Sequence, residues 1–178
     1  MKNISRLNFI RRAAAAAAVS LVLFAGASPF DSFAHTKDES IYLSGTWIKD
    51  EVGWRFFNQW NSTFPAGKWA EYQGNSYYFM DNGYMATGWH FLNGRWYYFN
   101  PYEGNEEGSM VTGWVYDPDC EGWFYTNQIG IMVTGWHKID GFWYYFNPNS
   151  DGLLGLMAVS RVVDGSYVDA SGRMNELR

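Results

Sequence analysis

The sequence predicts an all-β fold, a solenoid of tandem β-hairpins, and three observations carry the prediction. Tryptophan recurs at Trp47, Trp69, Trp89, Trp114 and Trp136, at intervals of 22, 20, 25 and 22 residues. A dipeptide ending in glycine follows each of these tryptophans. A short aromatic stretch, such as Trp96-Tyr97-Tyr98-Phe99, follows each dipeptide.

The chain opens differently. Lys2, Arg6, Arg11 and Arg12 precede an apolar run from Ala13 to Ala27, the charged and hydrophobic regions of an export signal. Cleavage is expected after Ala27 or after Ala34, with the second favoured because Pro29 and Asp31 belong to an irregular spacer. Ser5-Arg6-Leu7-Asn8-Phe9 is similar to a twin-arginine signal, but Leu7 stands where the second arginine belongs, so the general secretory route is expected. The apolar run is shorter than the roughly 20 residues of a spanning helix, so no stable transmembrane anchor is expected. Residues 1–34 are thus read as signal and spacer and 35–44 as a linker. Residues 45–174 are read as a repeat domain of about six units, and 175–178 as a tail.

Charge and cysteine usage narrow the partners. The chain carries 13 Lys and Arg against 18 Asp and Glu, a net charge of −5 at pH 7, and four of its basic residues lie in the leader. The acidic remainder disfavours nucleic acid and suits a cationic ligand. Cys120 is the single cysteine, so no internal disulfide forms and the thiol reads as a tolerated loop residue.

Each unit reads as a hairpin. Asn93-Gly94 and Asp140-Gly141 suit the two positive-φ positions of a type I′ turn, and Val52-Gly53, Gln73-Gly74, Glu121-Gly122 and Asp164-Gly165 are read in matching places. In the returning strand, period two puts Trp96 and Tyr98 on one face and Tyr97 and Phe99 on the other. A lone hairpin buries too little to stand alone, so one face is expected to be shared core and the other open to a ligand. A loop ending in Gly-x-Met closes five units, at Met85, Met110, Met132, Met157 and Met174. The glycine permits the bend and the methionine fills the gap between neighbours. The last unit lacks its first tryptophan, as a capping repeat does.

These residues, Thr-Gly-Trp, Asn-Gly, Trp-Tyr-Tyr-Phe and Gly-x-Met, resemble the choline-binding, or cell-wall-binding, repeat family over residues 45–174. The resemblance implies a left-handed solenoid in which choline sits between consecutive hairpins. A trimethylammonium has spread positive charge and no N–H to donate, so its recognition falls to aromatic faces. Carried over by position, a box uses the first and second tryptophans of one unit and the first of the next. The expected boxes are Trp89, Trp96 and Trp114; Trp47, Trp54 and Trp69; and Trp114, Trp123 and Trp136. Trp69 lacks a second tryptophan because Ser76 stands there, so Tyr77 or Tyr78 would have to serve and a weak or empty box is expected. Trp136 with Trp143 lacks a third wall, Ser160 and Arg161 replacing the next tryptophan. Tyr98, Tyr125 and Tyr145 are further candidates for lining, while Tyr97, Tyr144, Phe99 and Phe146 are expected in the core.

The function implied is a non-catalytic module that is secreted and held non-covalently at the cell wall. Its expected partner is choline-substituted teichoic acid or a wall polysaccharide. No cofactor and no metal site are expected. His90 and His137 follow first tryptophans where other units have Ile48, Ala70 and Val115, so they read as strand residues. Glu103, Glu106 and Glu107 read as a solvated loop. Two alternatives stay open: a glucan or other surface polysaccharide, for which Asn100, Asn127 and Asn147 would serve hydroxyls, and an adhesive rod binding a protein or a second copy of itself as a homodimer.

Overall fold

The computed structural model describes residues 40–150 and 153–175. The leader, its two cleavage sites and the tail after Asn175 lie outside the described residues. Those described form strands β1 (Ile41–Tyr42), β2 (Gly45–Lys49), β3 (Trp54–Asn58), β4 (Lys68–Tyr72), β5 (Asn75–Phe79), β6 (Gly88–Leu92) and β7 (Arg95–Phe99). There follow β8 (Gly113–Asp117), β9 (Gly122–Thr126), β10 (Gly135–Ile139), β11 (Phe142–Phe146), β12 (Arg161–Val163), β13 (Ser166–Val168) and β14 (Met174–Asn175). Strands β2 to β13 pair in sequence as antiparallel hairpins, the arrangement the tryptophan spacing predicts. They fall into two compact units, 40–111 and 112–175.

Turn chemistry explains most of the tips. Gln73, Asn93, Asp140 and Asp164 stand at φ of 50°, 47°, 49° and 49°, each followed by a positive-φ glycine, which gives type I′ turns whose twist matches the strands. Two tips differ from the expectation. In the first hairpin Lys49 pairs with Trp54, and the Asp50 N–H donates to the Gly53 carbonyl, so Glu51 and Val52 form the tip. Val52 is β-branched and resists positive φ; the Asp50 carboxylate instead accepts the Val52 and Gly53 N–H groups at 2.9 and 3.2 Å. In the fourth hairpin Asp117 pairs with Gly122 across a longer loop, and its carboxylate accepts the Asp119 and Cys120 N–H groups.

Within a unit, the tryptophan face of one hairpin lies on the opposite face of the next. In the first unit Phe56, Ala70, Tyr77, Phe79 and Met85 form a buried cluster, joined by Trp47, Trp54 and Tyr72. In the second, Val133, Ile139, Tyr144, Phe146 and Met157 do the same, with Trp114 and Tyr125 against them. Edge-to-face aromatic pairs of this kind add about 0.5–1.5 kcal/mol each beyond area burial.

The Gly-x-Met loop locks the stack. The Met85 N–H donates to the Trp54 carbonyl of the preceding hairpin at 2.8 Å, and Met157 does the same to Trp123. The glycine serves twice: Gly108 has φ of 79°, and a Cβ there would enter the Met85 thioether. The segment read as a linker also contributes. Strand β1 pairs in parallel with β4, Ile41 opposite Ala70, and the Leu43 N–H donates to the Glu71 carbonyl, which covers an otherwise open edge.

Candidate functional site: two aromatic recesses

Each unit contains a recess walled by two tryptophans of one hairpin and a tyrosine of the next. In the first, Trp47 and Trp54 meet at 6.3 Å and 85°, because Lys49 opposite Trp54 sets the second ring two residues along the same face. Tyr72 stands nearly perpendicular to Trp47 at 5.8 Å, Tyr77 lies at 5.4 Å and Met85 lines the space. The recess measures about 400 Å³. Burial pushes the Tyr77 hydroxyl above its ordinary value, with the nearby Glu106 charge adding to this and the Asn75 hydrogen bond opposing it. The ring therefore stays neutral.

A carboxylate completes this recess. Glu107 is only 16% exposed in its side chain and accepts the Trp54 indole N–H at 2.9 Å. Lys49 bridges it to Glu103, at 3.9 and 3.2 Å, and its ammonium stands 5.1 Å from the Trp54 ring centroid. The loop read as solvated thus returns one carboxylate to the first hairpin. The signal that would have found it is length: ten residues, 100–109, separate β7 from Met110, where five, 80–84, separate β5 from Met85.

The second recess, of about 450 Å³, repeats the walls. Trp114 and Trp123 meet at 6.2 Å and 90°, so the two residues inserted before Trp123 are absorbed in the turn and leave the corner intact. Tyr144 faces Trp114 at 4.9 Å and 73°, and Met157 and Val159 line the space. Arg173 lines it too, its Nε–H donating to the Tyr144 hydroxyl at 3.2 Å.

The third wall differs from the sequence expectation. Trp69 does not line the recess of Trp47 and Trp54; it is 7% exposed and packs on Tyr97 of the following hairpin at 5.0 Å. Tyr72 and Tyr77 stand in the expected place because strand alternation turns them, and not Trp69, toward the preceding hairpin. Trp114, expected as third wall for Trp89 and Trp96, turns likewise toward Tyr144 of its own unit, and Trp136 packs on Tyr145 and lies outside the lining of the second recess. Tyr144, expected in the core, is both buried and a wall.

The other candidates occupy separate settings. Opposite Glu71, Ser76 donates to that residue's buried carboxylate at 2.6 Å, so a polar pair fills the second-tryptophan position; Tyr77 serves the preceding recess and Tyr78, opposite Trp69, packs on it. Trp89 packs on Tyr98 at 4.9 Å, and Trp96 is 6% exposed beside Phe91. The Trp136 indole N–H donates to Asp164 at 2.9 Å, while Trp143 is exposed. Tyr98 is buried, Tyr125 backs Trp114, and Tyr145 lines a groove with Asn147, Asn149, Arg161 and Asp164. His90 and His137 make one repeated contact, each ring Nε2 against the carbonyl of Thr87 or Thr134. Trp60, at 87% exposure, lines neither of the two recesses.

Comparison with known proteins follows this geometry. Residues 66–106 match the family model described as choline-binding repeat, and residues 134–149 match that described as putative cell wall binding repeat. A comparison with curated protein sequences finds no match. Among solved structures the chain is similar to choline binding protein F from Streptococcus pneumoniae, with 30% identity and a TM-score of 0.51 over 75% of this chain and 48% of that one. It is also similar to a multimodular pneumococcal cell wall endolysin from phage Cp-1, solved complexed with choline, with 32% identity and a TM-score of 0.53 over 80% of this chain and 40% of that one. The chain thus spans less than half the length of these relatives. With the hairpin register, the stacked tryptophan faces and these matches together, the chain belongs to the choline-binding, or cell-wall-binding, repeat family.

Proposed function

We propose that this protein is an exported, non-catalytic module that holds a bacterial surface by caging choline groups of teichoic or lipoteichoic acid. The observation that carries the reading is the pair of recesses in which two perpendicular tryptophans meet a tyrosine. Each π face attracts an onium group by about 0.5–2 kcal/mol, so three walls supply roughly millimolar affinity for one free choline. The endolysin complexed with choline supports the ligand class.

Glucan binding fits less well. Asn100, Asn127 and Asn147, the candidates for sugar hydroxyls, each commit the side-chain oxygen to a backbone N–H two residues on, at 3.1, 3.1 and 3.0 Å. The test is retention of the purified chain on a choline-analogue resin, with free choline and glucan oligosaccharides as competing eluents. Elution by choline alone is expected; passage without retention, or release by glucan, would sink the reading.

A further inference from the structure

The ten residues between β7 and Met110 fold into a strap that delivers one side chain. Asn100 gathers its ends. The Asn100 backbone N–H donates to the Ser109 carbonyl at 2.8 Å, and the Asn100 carbonyl accepts the Gly108 N–H at 2.7 Å. The Asn100 side chain accepts the Tyr102 N–H and donates to the Glu106 carbonyl, at 3.1 and 3.2 Å. The Glu107 N–H closes the tip on the Gly104 carbonyl at 3.2 Å. Folded in this way, the strap lays Gly104, Asn105 and Glu107 along the first recess. Lys49 holds it from outside: the ammonium that bridges Glu103 and Glu107 lines a second hollow, of about 370 Å³, and is not among the residues lining the recess. That hollow and the recess share Trp54, Met85 and Glu107.

Trp54 is thereby fixed three ways. Glu107 accepts its indole N–H, the Lys49 ammonium stands 5.1 Å from its ring centroid, and its ring meets Trp47 at 85°. Trp123, its counterpart in the second unit, is held by rings alone, Trp114 at 6.2 Å and Tyr116 at 5.2 Å. It is 43% exposed, and among the described residues its indole N–H has no acceptor. The loop after the last hairpin sends Arg173 to the Tyr144 hydroxyl instead. A ligand that must first immobilise one side chain loses about two- to tenfold in affinity. We propose that Glu107 is a positioning residue: its hydrogen bond to the indole N–H sets Trp54 at a right angle to Trp47 before any ligand arrives. The first recess is then pre-formed, and the second is completed by its occupant. This inference rests on the cage reading and goes beyond it by ranking the two recesses and assigning the difference to one carboxylate.

The test follows the indole N–H resonances of Trp54, Trp69 and Trp123 in the full chain, assigned with Trp54→Phe, Trp69→Phe and Trp123→Phe, first without ligand and then through a titration with choline. Without ligand, the Trp54 indole N–H should exchange with water about tenfold more slowly than that of Trp123. Glu107→Ala should bring the two rates together and weaken choline at Trp54 by about two- to tenfold, with binding at Trp123 unchanged. Glu107→Gln keeps an acceptor and removes the charge, so it should retain most of the protection and most of the affinity. An unmoved resonance of Trp69, buried in the same unit, reports that each variant is folded. Equal exchange at Trp54 and Trp123 in the native chain, or native choline affinity at Trp54 in Glu107→Ala, overturns this inference alone. So does a loss in Glu107→Gln as large as in Glu107→Ala, which would assign the effect to charge. No choline shift at either recess indole overturns the cage reading and this inference with it.

Discussion

At the scale of the residue, tryptophans of one repeat have different jobs. Trp54 and Trp123 reach a recess, whereas Trp69 is packed between hairpins. Trp54→Ala should therefore weaken choline binding at the first recess by about twofold to thirtyfold, the loss of one π wall, and should also lower stability, since Trp54 packs on the first core cluster and donates to Glu107; titration calorimetry and thermal unfolding check the pair. Trp69→Ala should act on stability alone, costing about 3–5 kcal/mol of folding free energy with the first recess still competent. The tryptophan positions were legible from spacing alone, and so was the deficit at Ser76. Tyr72 was not, because its role depends on which face of one hairpin meets which face of the next, and a period of two fixes alternation without fixing the neighbour. Glu107 and Arg173 were hidden for another reason: each belongs to a loop or cap that folds back on a hairpin distant in sequence.

At the scale of the element, turns and loops decide the register that builds the walls. Asn93→Val, placing a β-branched residue at φ of 47°, should destabilise by about 1–2 kcal/mol, while Val52→Gly at the first tip should cost little, since that tip does not use positive φ; denaturant midpoints measure both. Gly108→Val should cost more than Asn93→Val, because it adds a collision with Met85 to the strain of a positive φ. The Asp50 turn carries a pH dependence. Its carboxyl is held below the ordinary range, chiefly by the Val52 N–H, with the Tyr84 hydroxyl, the Gly53 N–H and Arg55 adding to this and partial burial opposing it. A depressed value in the folded state stabilises at any pH above the unfolded value and is lost as pH falls through the folded one. Amide exchange at Gly53 should therefore rise selectively in strong acid, and Asp50→Asn should remove the pH dependence. Hairpin existence was legible because Asn-Gly and Asp-Gly tips are chemically specific. The Glu51 and Val52 tip was not, since Gly53 next to Val52 imitates the same signal one residue out of phase.

At the scale of the whole molecule, weak sites become useful through number. On the proposed function, a chain presenting two cages to a polymer that carries many choline groups gains up to roughly 10² to 10⁴ in strength through effective concentration, so release should need far more free choline than half-saturates one site. Surface plasmon resonance on sparse and dense choline surfaces checks this; equal retention on both would contradict it. Because each recess takes two walls from one hairpin and one from its successor, no site belongs to a single repeat. The occupant is then a rivet driven through the joint between two plates. It should tighten the joint in proportion to its occupancy, raising unfolding free energy by about 2.7 kcal/mol at a hundredfold excess over the dissociation constant. An anchor built this way grips its own framework hardest when it is gripping the surface, and it loosens into an easier target for proteolysis when it lets go.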